Sequence, residues 1–256
     1  MASIISIHSF RGGTGKSNTS ANIASQLALS GARVGVIDTD INSPGIHILF
    51  GVHDDAIKHS LNDYLWGRCK IQDAALRVTD NLRNDSHNQA KITGELYLIP
   101  SSMNVGEIAR ILREGYDVTL LSDGYNQIIK DLNLDYLVID THPGVNEETL
   151  LSIAISDHLA IIMRPDAQDY QGTKVTVEVA RKLDVKNLML IVNKAPTSLD
   201  PDALKDRIEQ TYNATVASVI PHSDDLMTLG SQGVFSLRNP NHDVTSKYKH
   251  IASMMR

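Results

Sequence analysis

Residues 8 to 18 read HSFRGGTGKSN, and no other stretch constrains the fold as much. Gly12, Gly13 and Gly15 permit a backbone curl in which successive N–H groups turn inward around an anion. The apolar, β-branched run SIISIHSF at 3 to 10 comes before the curl and reads as a buried strand. KSNTSANIASQLALS at 16 to 30 comes after it, with Ile23, Leu27 and Ala28 at helical spacing and Gly31 as a stop. A glycine turn from strand into helix brings the helix's positive end to the anion. Lys16 then reaches the β- and γ-phosphates of a nucleotide, and the Ser17 hydroxyl suits Mg²⁺. Thr14 and Asn18 complete the expected lining. The spacing still departs from G-x-x-x-x-G-K-[ST], because Phe10 stands where the first glycine belongs. Arg11 follows, a long cation at the mouth of the cradle.

The loop implies a parallel strand–helix–strand unit, and the next short apolar strand, RVGVID at 33 to 38, supplies its partner. Further strands are expected at 95 to 100, 135 to 140, 158 to 165, 188 to 194 and 214 to 221. Helices are expected at 105 to 112, near 146 to 156, at 172 to 184 and near 201 to 212, with one or two between 60 and 78. DNLRNDSHNQAK at 80 to 91 reads as a polar, exposed loop, and a mixed helix closes the chain at Arg256. Strands alternating with helices predict an α/β fold, an open, mostly parallel sheet with helices on both faces. With no repeat or long linker, residues 1 to 256 are expected to form a single domain.

Three more segments carry chemistry at the carboxyl ends of strands, where open α/β sheets bind ligands. VGVIDTDINSPG (34 to 45) offers Asp38 and Asp40, two residues apart on extended chain and so facing the same way. One can position a water for attack on a γ-phosphate while the other supports the metal's water shell. DYLVIDTHPG (135 to 144) is an apolar strand ending in Asp140, suited to hold Mg²⁺ directly or through water. His142 in the turn after it is expected to act on conformation rather than on phosphate. LMLIVNKAP (188 to 196) ends in Asn193, whose amide can pair with adenine, and Pro221 ends the last strand where its backbone can border the base. A plain strand-ending turn is the competing reading for both.

Composition narrows the alternatives. A net charge of −6 opposes a globally basic nucleic-acid coat. The single Cys69 excludes a disulfide framework and a cysteine-held metal cluster within the chain. Ten histidines lack any zinc spacing. The N-terminus shows no targeting pattern and no apolar run reaches spanning length, so a cytoplasmic location is expected. Arg238, Lys247, Lys249 and Arg256 make the C-terminal segment locally basic, which reads as a solvated face.

Together these segments resemble the ParA/MinD family of deviant Walker A ATPases, in the expected order from about residue 3 to 240. Arg11 to Ser17 is similar to the family's K-G-G-x-G-K-[ST] loop, with arginine at the signature-lysine position. Asp38, Asp40 and Pro44 match its first switch, DYLVIDTHPG its Walker B and second switch, and Asn193 and Pro221 the positions that frame adenine. The resemblance implies slow ATP hydrolysis with Mg²⁺ and an ATP-sandwich homodimer in which Arg11 reaches the partner's phosphates. Lys16 would bind phosphates, Asp40 the attacking water, and Ser17, Asp40 and Asp140 the metal, with Asp38 supporting the switch. It also implies a switch that positions or partitions a cargo through a protein activator or adaptor, with nonspecific DNA a candidate partner. The chain shows no amphipathic extension after SKYKHIASMMR, so cycling on a membrane is not expected. A metabolite ligase or kinase of the dethiobiotin synthetase type, and a nucleotide-binding scaffold that hardly hydrolyses, are the competing classes.

Overall fold

The computed structural model describes residues 2–256. From the N-terminus run β1 (Ser3–His8), α1 (Lys16–Leu29), β2 (Arg33–Asp38), α2 (Ile46–Leu49), α3 (Leu61–Leu65), β3 (Leu76–Arg77) and α4 (Thr79–Asn84). Then come β4 (Glu95–Ile99), α5 (Val105–Glu114), α6 (Thr119–Asp131), β5 (Tyr136–Asp140), α7 (Glu147–Ala154), β6 (His158–Met163) and α8 (Ala167–Lys182). The chain continues through β7 (Asn187–Ala195), α9 (Pro201–Tyr212), β8 (Thr215–Pro221), α10 (Asp224–Leu229), α11 (Phe235–Arg238) and α12 (Asp243–Ser253).

The strands form one eight-stranded sheet in the order β3-β4-β2-β5-β1-β6-β7-β8. Every pairing is parallel except the short edge pair β3–β4. From β1 the chain moves to β2 on one side and later returns to β6 on the other. The carboxyl ends of β1, β2 and β5 therefore meet at the crevice where this architecture binds ligands.

Strand alternation divides the core between the two faces. In β5, Val138 packs with α1 residues such as Ile23 and Leu27, while Leu137 and Ile139 pack with Leu121, Tyr125 and Ile128 of α6. β7 divides likewise, Met189 and Ile191 to one cluster and Leu190 and Val192 to another. Each fully buried Leu or Ile of this kind contributes about 1.5–3 kcal/mol relative to exposure. Among the described residues, no helix is long and apolar enough to cross a membrane.

Four expectations need correction. No helix was expected over 119 to 131, where α6 buries Leu121, Tyr125 and Ile128. The expected exposed loop at 80 to 91 begins inside α4, which buries Thr79 and Leu82. Its Arg83 donates from Nε to the Ile92 carbonyl and from Nη2 to the Gly94 carbonyl, both at 2.9 Å. Residues 60 to 78 hold the short α3, a 3-10 turn and the edge strand β3 rather than long helices. Finally, α8 starts five residues early, because the Asp166 side chain caps it by accepting from Asp169 N at 3.0 Å.

Candidate functional site

The loop after β1 takes the expected curl. Gly13 and Gly15 have φ of 76° and 96°, in the left-handed region that favours glycine. A Cβ on Gly15 would also lie 2.5 Å from Asn193 Nδ2. α1 carries no acidic residue in its first turn, so its positive end is left for a ligand. Lys16 and Thr14 are buried against the loop, and the Thr14 Oγ1 atom has no protein partner among the described residues. Asn18 is half-buried one turn in, its carbonyl accepting from Asn22 Nδ2 at 2.7 Å.

The three carboxylates converge through strand register. Asp38 and Asp140 are register partners at the ends of β2 and β5. Burial pushes the Asp38 carboxyl well above the usual range, helped by repulsion from Asp140 and Asp40. Its oxygens accept from Asp40 N at 3.0 Å and Gly45 N at 3.3 Å, so Asp38 shapes the loop that follows its own strand. Burial also raises Asp140, against the pull of Lys16 and hydrogen bonds from Ser17 and Ser20. Ser20 Oγ donates to Asp140 Oδ1 at 2.8 Å.

Asp40 is bound differently. Its Oδ1 accepts from Ser43 N at 3.2 Å, Ser43 Oγ at 3.0 Å and His142 Nδ1 at 2.7 Å. Nearby, the buried His8 Nδ1 lies 2.7 Å from Thr141 Oγ1. Thr141 in turn donates to the Ile7 carbonyl at 3.0 Å, so His8 must be the donor to Thr141. Burial, then Lys16 and His142, depress the His8 pKa to about 3, which keeps the ring neutral.

Among the described residues, no group of three His, Cys, Asp or Glu side chains is placed to cage a metal. A hard cation held by one or two carboxylates, a serine hydroxyl and a ligand's phosphates needs no such cage. Ser17, at the start of α1, and Asp140, whose Oδ1 is held by Ser20 from the same helix, fit that mode.

Arg11 stands at the rim. Its Nη1 lies 3.4 Å from Asp169 Oδ1 and 3.7 Å from Asp166 Oδ1, with the side chain 37% exposed. Arg164 shares both acids, at 3.2 Å each, and Asp169 also accepts from Arg164 N at 2.8 Å. Phe10 packs on α8, where a Cβ on Gly172 would lie 2.2 Å from Phe10 Cδ1.

On the other flank, Asn193 Nδ2 donates to the Thr14 carbonyl at 2.7 Å and Lys194 Nζ to the Gly13 carbonyl at 2.9 Å. Both clamp the glycine loop from the end of β7. Pro221 lines a cavity of about 380 Å³ with Pro196, Leu199, Pro201 and Lys247. Arg238, read from sequence as part of a basic face, is instead tucked in and paired with Asp85 at 3.2 Å.

The fold thus gathers Arg11 to Asn18, Asp38, Asp40, Asp140 and Asn193 around one loop, with Pro221 a short way along the same sheet edge. Sequence reading missed Ser20, His8, Asp166, Asp169 and Lys194. Ser20 had a signal, since it lies three residues after Ser17 on one helix face. The two acids had the D-x-x-D form of a helix cap.

A family model described as an AAA domain, AAA_31, matches residues 2–195. An uncharacterized ATP-binding protein of Methanocaldococcus jannaschii is 27% identical over 221 residues, which cover 86% of this chain and 75% of that protein. The septum site-determining protein MinD of Bacillus subtilis is 23% identical over 258 residues, covering 98% and 88% of the two chains. The septum site-determining protein MinD of Pyrococcus horikoshii, solved as a complex with Mg-ADP, shares the fold with a TM-score of 0.78 at 19% identity. That match covers 99% of this chain and 96% of the other. With the glycine loop, the strand-end aspartates and the sheet order all in place, the chain belongs to the AAA_31 domain family, among the ParA/MinD-type P-loop ATPases.

Proposed function

We propose that this protein is an ATP-driven molecular switch that hydrolyses ATP slowly to ADP and phosphate. In this reading two copies close around ATP, and the closed dimer positions or partitions a cargo in the cytoplasm through a protein adaptor or activator. Nonspecific DNA is a further candidate surface.

The glycine loop and Lys16 hold the β- and γ-phosphates, and Thr14 and Asn18 line them. The apolar cavity beside Pro221 takes the adenine, next to Asn193. Ser17 and Asp140 would hold Mg²⁺, with Asp40 supporting the ion's water shell, and the ion would supply neutralising charge for the phosphates. Asp40 orients the attacking water, and Asp38 keeps the loop carrying Asp40 in shape through its bonds to Asp40 N and Gly45 N.

The observation that carries the dimer is the position of Arg11. It is paired at the rim with Asp166 and Asp169, beside exposed Phe10 and Val175, and with none of the three site carboxylates. A planar guanidinium held there is suited to bidentate contact with phosphate across an interface. Light scattering on the protein with Mg-ATP tests this. A mass that doubles with ATP, and stays monomeric for Lys16→Ala, is expected. A wild type that remains monomeric at saturating ATP overturns the reading.

A further inference from the structure

We infer that His142 is a positioning residue for ATP hydrolysis: it locks the Asp40 carboxylate in the rotamer that presents one free oxygen to water. This inference rests on Asp40 acting on the attacking water, as proposed above.

The hydrogen bonds to the Asp40 carboxylate are distributed unevenly between its two oxygens. All three of its side-chain hydrogen bonds, from Ser43 N, Ser43 Oγ and His142 Nδ1, fall on Oδ1. None reaches Oδ2 among the described residues, and Oδ2 is not sealed from solvent. A carboxylate gripped through one oxygen offers the lone pairs of the other in a fixed direction. An unheld aspartate would spread its χ2 over a broad range, since that torsion has no sharp wells.

His142 makes the shortest of the three bonds, at 2.7 Å, and it alone comes from outside the loop that carries Asp40. The two Ser43 bonds are internal to that loop and move with it. The ring sits in the turn after β5, two residues beyond Asp140. Its far nitrogen, Nε2, lies 3.4 Å from Asn42 Nδ2. A ring carrying its proton on Nδ1 satisfies both contacts at once, donating to Asp40 and accepting from Asn42. One imidazole therefore spans the loop after β2 and the turn after β5. Those two segments follow the strands that end in Asp38 and Asp140, so the ring also fixes their spacing.

Geometry of this kind acts on turnover, because misaiming a general base or water-positioning group costs rate without removing phosphate contacts. The expected size is that of lost supporting bonds around other catalytic centres, about 10- to 100-fold.

Steady-state hydrolysis and equilibrium binding of ATP, measured on the full chain, test the inference. For His142→Ala, kcat is expected to fall about 10- to 100-fold, with ATP affinity and ATP-dependent dimerisation within about twofold. His142→Asn keeps a donor near the place of Nδ1 and is expected to recover most of the loss. His142→Gln, whose donor sits nearer the place of Nε2, is expected to recover little. Combining His142→Ala with Asp40→Asn should cost no more than Asp40→Asn alone. The inference is overturned if His142→Ala keeps wild-type kcat, or if the loss appears in ATP affinity rather than kcat. It is also overturned if Asn and Ala are equally impaired. Asp40→Asn alone separates the two levels. If it leaves kcat unchanged, the role proposed for Asp40 fails and takes this inference with it; if it abolishes turnover while His142→Ala does not, only the inference fails.

Discussion

Arg11 Nη1 lies 3.4 Å from Asp169 Oδ1, a nearly buried carboxylate on α8 that Arg164 holds from its other side. The double grip decides what releasing Arg11 costs. Were Arg11 the sole partner, its departure would strand a buried charge, at about 3–5 kcal/mol. With Arg164 remaining, Asp169 stays paired, and the half-exposed Arg11 gives up an interaction worth at most about 1 kcal/mol. Arg11→Ala is therefore expected to shift monomer stability by less than about 1 kcal/mol in chemical denaturation. It is expected to cut ATP-dependent phosphate release at least roughly tenfold, by loss of a cation on the transferred phosphate.

Arg11→Lys tests the same relationship from the other direction. Arg11 reaches both acids through Nη1 alone, and lysine carries its charge on a shorter side chain, so it holds less tightly to the Asp166 and Asp169 pair. Dimerisation of Arg11→Lys is expected at a lower ATP concentration than for the wild type, read by titrating ATP against scattered light. An unchanged midpoint would show that the pairing with α8 does not restrain the loop.

His8 gives a pH prediction with a definite sign. Its folded pKa of about 3 lies below the ordinary histidine value of 6.5, so between those values the unfolded chain binds the extra proton. Stability from this residue is fully present above about pH 6.5 and is lost as pH falls toward 3, at up to about 1.4 kcal/mol per pH unit. Asp38 and Asp140 are raised and act in the opposite direction across the acid range, so total stability against pH mixes the contributions. The difference between wild type and His8→Asn isolates the histidine, because asparagine keeps a donor for Thr141 and does not titrate. Denaturation midpoints from pH 7 to pH 4 should show the wild type losing ground steadily to the variant.

Gly15 is the loop position with the least tolerance. Alanine there meets a φ of 96°, costing about 1–2 kcal/mol, and its Cβ would displace Asn193 Nδ2 from 2.5 Å. Displacing Asn193 also frees the Thr14 carbonyl it holds. Gly15→Ala is expected to weaken binding of a nonhydrolysable ATP analogue by more than about tenfold in titration calorimetry, because 1.4 kcal/mol is already that factor. Gly12→Ala meets no atom within 4 Å and should bind within a few-fold of wild type.

Sequence alone exposed the loop, the central strands and the aspartates because each of these is local. A glycine turn, an apolar run and a carboxylate at its end occupy a few consecutive residues. What stayed hidden depends on elements that meet only in the fold. Arg83 reads as a loop cation until the segment leading into β4, which supplies the Ile92 and Gly94 carbonyls, is placed beside it. Lys194 reads as the end of a strand until its ammonium is found on Gly13, and Asp169 as a helix cap until Arg11 reaches it. The helix α6 was different, because Leu121, Tyr125 and Ile128 stand at i, i+4 and i+7 and the period was present to be read. The polar residues between them obscured it.

The missing first glycine of the loop has a structural counterpart on α8, and a double-variant cycle can measure it. Phe10 covers Gly172 so closely that an added Cβ would meet Cδ1, Cγ and Cβ of the ring side chain at 2.2, 2.4 and 2.8 Å. Contact with Phe10 Cβ means that no ring rotation relieves the clash. In a helix interior, glycine to alanine normally gains about 1 kcal/mol. Here Gly172→Ala is expected to destabilise by about 1–3 kcal/mol, the cost of overpacking. Phe10→Gly, which restores the usual glycine, removes the obstacle. Gly172→Ala on that background should then recover its stabilising sign, giving a coupling of about 2–4 kcal/mol, at the upper end of what residues in direct contact show. Urea denaturation of the four proteins reads the coupling. A value near zero would mean that Phe10 does not rest on α8 in solution, and that its replacement of glycine has some other cause.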